Sequence, residues 1–98
     1  KESPGLSCMI GPAKRTFGGT NWLVFSCNDP STMVVVSDSG NPASPFYFIL
    51  SKVDGHYKID GEGNGDKKAS DSTGDELSHL DQVQLDALLA ATKQASKP

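Results

Sequence analysis

The chain has 98 residues, a formal net charge of −3 from 9 Lys and Arg against 12 Asp and Glu, and 36% hydrophobic residues. That length suits a single domain over residues 1–98, with 1–7 and 95–98 frayed and one modest core between them. The basic doublets Lys14-Arg15 and Lys67-Lys68 are too short for a nucleic-acid face, and no apolar run approaches the roughly 20 residues of a membrane span.

Lys1–Ser7 is a polar lead-in, and its start at Lys1 reads as a chain left after signal-peptide removal. Cys8 and Cys27 are the two cysteines. Neither has CxxC spacing, and His56 and His79 are the sole histidines to complete a zinc set, so a Cys8–Cys27 disulfide is expected. Disulfides belong to oxidising compartments, which predicts an exported protein, periplasmic or extracellular. Cys8-Met9-Ile10, ended by Gly11-Pro12, is a candidate short edge strand, and Gly18-Gly19 marks a flexible turn within Ala13–Asn21.

Asn21–Cys27 predicts the first long strand. Alternation sends Trp22, Val24 and Ser26 to one side and Leu23, Phe25 and Cys27 to the other. Cysteine on the second side assigns Leu23 and Phe25 to the core. Asn28-Asp29-Pro30-Ser31 is a turn, Thr32–Ser37 a valine-rich strand, and Asp38–Pro45 a loop punctuated by Gly40, Pro42 and Pro45. Phe46–Val53 and the residues after Asp54-Gly55 form a hairpin closed by a two-residue type I′ turn. That turn pairs Val53 with His56, Lys52 with Tyr57, Leu50 with Ile59 and Phe48 with Gly61. One face then gathers Phe46, Phe48, Leu50, Tyr57 and Ile59, as a one-sided sheet requires.

Asp60–Gly74 contains no apolar residue larger than Ala69 and reads as a loop, with one weak helical turn around Lys67–Ser72. A helix follows, capped by Ser78 or Asp81, of which Asp81 with Gln84 fits a capping box, with Leu80, Val83, Ala87, Leu88 and Ala91 at helical spacing. The expected fold is α+β: an antiparallel β-meander of four strands, five with Cys8–Ile10, packed on one C-terminal α-helix and held by one disulfide.

Two segments carry candidate chemistry. Asp60, Glu62, Asn64, Asp66 and Asp71 are spaced partly like an oxygen-rich calcium loop, with Gly65 at its sharp turn. Lys67 stands where such a loop wants an aliphatic anchor, and Asp71 replaces the longer bidentate Glu, so calcium is the alternative reading and no cofactor the first. The second segment is a patch of Trp22, Val24, Tyr47 and Ile49 on the sheet side away from Phe48, a binding surface for a protein partner or for self-association. His56 and His79 lack a nucleophile context, which leaves a small enzyme or accessory subunit as the last reading. The leading expectation is a small exported, non-catalytic binding or inhibitory module that recognises a protein, with no nucleic acid and no membrane span.

Overall fold

The computed structural model describes residues 8–28 and 32–96. Its five strands follow chain order across one antiparallel sheet: β1 (Ile10–Phe17), β2 (Thr20–Ser26), β3 (Thr32–Ser37), β4 (Phe46–Val53) and β5 (His56–Gly63). Two helices follow, α1 (Lys67–His79) and α2 (Gln82–Ser96), and both pack on the same side of the sheet. Cys8 and Cys27 form the disulfide, 19 residues apart in sequence.

The β4–β5 register is the one that the Asp54-Gly55 turn dictates, with Val53 opposite His56 and Phe48 opposite Gly61. Asp54 has φ 52° and Gly55 φ 80°, the left-handed pair that a type I′ turn requires. Antiparallel pairing then carries the inward face across the sheet. Leu50 lies opposite Met33 and Phe48 opposite Val35, while Val35 lies opposite Val24 and Ser37 opposite Trp22. The inward face of β2 is therefore Trp22, Val24 and Ser26, all fully buried.

This reverses the face assignment made from Cys27. Cys27 follows the last β2 residue and still donates its N–H to the Thr32 carbonyl at 3.1 Å, but it lies outside the buried cluster that Trp22 and Val24 join, so its burial in the disulfide does not mark the helix side. Trp22 instead stacks against the aromatic pair of β4, with its ring centroid 6.5 Å from Phe46 and 5.4 Å from Phe48.

The first strand is also longer than expected. It passes through Gly11-Pro12 and runs to Phe17, with a register shift between Ile10 and Ala13 that absorbs the glycine and proline. Gly18-Gly19 is thus a tight hairpin turn between two long strands. The Gly18 N–H donates to Glu76 Oε1 at 2.8 Å, and the hydroxyls of Thr20 and Thr73 both donate to the Phe17 carbonyl, which ties the hairpin to α1.

The segment 67–79 is a full helix, and the structure has two helices where the sequence suggested one. Its buried residues are Ala69, Ser70, Thr73 and Leu77. A face of small and polar residues leaves no apolar stripe to read. Asp66 caps the helix by accepting from Lys68 N–H at 3.1 Å, and the buried hydroxyls bond carbonyls of Lys67 and Phe17. The capping box of α2 forms as read: Asp81 N–H donates to Gln84 Oε1 at 2.9 Å and Gln84 N–H to Asp81 Oδ1 at 2.8 Å. Its buried stripe is Leu85, Leu88 and Thr92; Val83 and Ala87 face solvent and Ala91 is half-buried. The helix continues to Ser96, while 1–7 and 97–98, both expected to fray, lie outside the described residues.

Candidate functional site

With both helices on one side, the other side of the sheet is uncovered among the described residues. The same registers that bury Trp22 and Val24 line up the outward residues in two rows. Lys14, Leu23, Val36, Tyr47 and Glu62 form one row across all five strands. Phe25, Val34, Ile49 and Asp60 form the second, from β2 to β5. Six apolar or aromatic side chains thus occupy the centre of the outer face on β2, β3 and β4. Five of them are half-buried against one another, and Tyr47 is 38% exposed. Lys14 lies at one margin and Asp60 and Glu62 at the other, an apolar centre inside a charged rim.

The four residues read from the sequence as a patch are therefore split. Tyr47 and Ile49 stand on the outer face, whereas Trp22 and Val24 are at 0% exposure under the helices. Their neighbours in sequence, Leu23 and Phe25, take the outer places. β2 is apolar on both sides, so its own residues contain no signal for which side is covered. The pairing Val24–Val35–Phe48, anchored by the hairpin turn, was the available clue.

Tyr47 donates its phenol to Glu62 Oε1 at 3.0 Å, which fixes the ring across two strands. That hydrogen bond to a carboxylate, reinforced by its charge, raises the Tyr47 pKa above its usual 10.0. At the far end of the sheet Tyr57 donates to Asp86 of α2 at 3.0 Å. Burial, then the bond to Asp86 and its charge, push the Tyr57 pKa up to about 12.

A second feature lies on the helix side. An open cleft of about 960 Å³ runs between β5 and α1, with Phe46 and Phe48 at its floor. Its walls carry Gly61, Gly63 and Asn64 on one side and Lys67, Asp71, Asp75 and Ser78 on the other.

The calcium-loop residues are distributed over three kinds of structure. Asp60 and Glu62 belong to β5, Asn64 follows the strand, Asp66 caps α1, and Asp71 lies within α1, where it sits 3.5 Å from Lys67 Nζ. Among the described residues, no group of three or more His, Cys, Asp and Glu is arranged to hold a metal ion. His56 opens β5 and is exposed, and His79 ends α1 with Nδ1 2.7 Å from the Asp75 carbonyl.

No helix among the described residues is long and apolar enough to cross a membrane. Comparison with protein-family models, with curated proteins and with solved structures found no match to this chain.

Proposed function

We propose that this chain is an exported, non-catalytic binding module that holds a protein partner on the outer face of its sheet. The observation that carries the reading is the block of Leu23, Phe25, Val34, Val36, Tyr47 and Ile49, spread over three adjacent strands and, among the described residues, covered by no helix. Apolar centres rimmed by charge are the usual anatomy of a recognition surface, and a tyrosine tethered at its hydroxyl is a rigid contact residue. Export is supported by the disulfide, which persists in oxidising compartments.

The test is site-specific photo-crosslinking in the cells that produce the chain. A photoreactive residue at position 47 should yield one discrete adduct. The adduct should vanish when Ile49→Lys adds a charge to the face, and a probe at Lys93 on α2 should give none. Absence of an adduct at position 47, or equal yields from both positions, would sink the reading.

A further inference from the structure

The two edges of the sheet are built differently. At β1 the pairing shifts between Ile10 and Ala13, and Pro12 lacks an N–H, so that edge is interrupted. β5 pairs with β4 residue for residue over eight positions, without proline or bulge. The Asn64 N–H donates to the Pro45 carbonyl at 3.0 Å just past the end of this ladder. Backbone groups in an antiparallel pair alternate between partner and edge, so the N–H and C=O of Tyr57, Ile59, Gly61 and Gly63 point away from β4. Among the described residues no strand lies beyond them.

The space beside this edge is shaped by the same residues. Gly61 faces the helix side opposite Phe48, and a Cβ there would come 2.8 Å from the Phe48 ring. Phe46 and Phe48 lean over the two glycines and form the aromatic floor of the cleft between β5 and α1. The cleft's charged side chains are Asp71 and Asp75 against Lys67, two carboxylates to one ammonium, and Lys67 is already engaged with Asp71, while the Glu62 carboxylate is turned to Tyr47 on the outer face.

We infer that the β5 edge and this cleft receive an extended basic peptide segment as a sixth strand. The peptide backbone pairs with the outward groups of Tyr57, Ile59, Gly61 and Gly63. Its alternate side chains then point to the helix side and enter the cleft. A lysine or arginine there lays its stem on the Phe46 and Phe48 rings and carries its charge to Asp71 and Asp75. This surface is separate from the outer face, and neither reading depends on the other.

The probe is a capped Lys-Val-Lys-Val-Lys-Val-Lys peptide titrated into isotope-labelled protein, with a Glu-for-Lys counterpart. The lysine peptide should slow amide exchange of Tyr57, Ile59, Gly61 and Gly63 by roughly tenfold near saturation. The exposed pair Asp71→Asn and Asp75→Asn should weaken its binding roughly fivefold while the melting temperature holds. Equal binding of the glutamate peptide, shifts centred on Leu23 and Ile49, or no response at millimolar lysine peptide would each overturn the inference.

Discussion

The hydroxyl of Thr92 in α2 lies 2.7 Å from the hydroxyl of Ser26 in β2, and both side chains are at 0% exposure. Thr92 also bonds the Leu89 carbonyl at 2.6 Å, so the pair joins the helix to the sheet through a polar contact inside the core. Removing one partner leaves the other buried without its bond. Thr92→Val should therefore cost about 1–3 kcal/mol in urea unfolding. The double variant Ser26→Ala, Thr92→Val should cost less than the two single losses added together, because it removes both hydroxyls. Strict additivity would show that the contact carries no coupling.

Gly18 and Gly19 share one turn, at φ 57° and 77°, but meet different surroundings. A Cβ at Gly18 would fall 2.7 Å from the Thr73 backbone N, whereas one at Gly19 would meet nothing within 4 Å. Gly19→Ala should cost the left-handed backbone term alone, about 1–2 kcal/mol. Gly18→Ala adds overpacking against α1, a further cost of about 1–3 kcal/mol. Thermal melts of the two variants separate these cases, and equal losses would contradict the close approach.

The disulfide closes a loop over a sequence separation of 19 residues. Loop closure of that size contributes about 3 kcal/mol. For a domain this small, Cys8→Ala with Cys27→Ala should lower Tm by roughly 12–24 °C. A fall of less than about 4 °C would mean that the packing on β1 and β2 holds without it.

Tyr57 gives stability a pH dependence whose sign is fixed. Its ordinary pKa is 10.0 and the folded value is about 12, so the fold favours the neutral phenol. The contribution is complete below pH 10 and is lost as pH rises through 12. Ultraviolet titration should find both tyrosines ionising above the ordinary value, since Tyr47 is raised too. Asp86→Ala should bring the Tyr57 midpoint down and leave that of Tyr47 in place. A titration unchanged by Asp86→Ala would remove Asp86 as a cause.

Several elements were readable because their causes are local. The Asp54-Gly55 turn sets the β4–β5 register by its backbone requirement alone, and all four pairings read from it occur. The Asp81 and Gln84 box needs only residues three apart. The candidate site was half legible. Tyr47 and Ile49 fall on the outer face because the turn controls their strand. Trp22 and Val24 do not, because β2 is apolar on both sides and the buried Cys27 does not mark the side that the helices cover. α1 was hidden because its buried face is Ala69, Ser70, Thr73 and Leu77, and those residues are favourable there only once Phe17 and Gly18 lie against them.

By itself, the sequence determined the bounds of β3 and β4 and the turn after β4, that Cys8 and Cys27 would pair, and which side of the final hairpin is apolar. These follow from backbone preference, alternation and the scarcity of thiols. The tertiary structure alone decided which side of β2 is inside, that residues 67–79 are helical, and that Leu23 and Phe25 complete the outer face. The reason is physical. A strand that is apolar on both sides, and a helix whose inner face is small and polar, have no preferred orientation of their own. Neighbours brought from distant parts of the chain supply it.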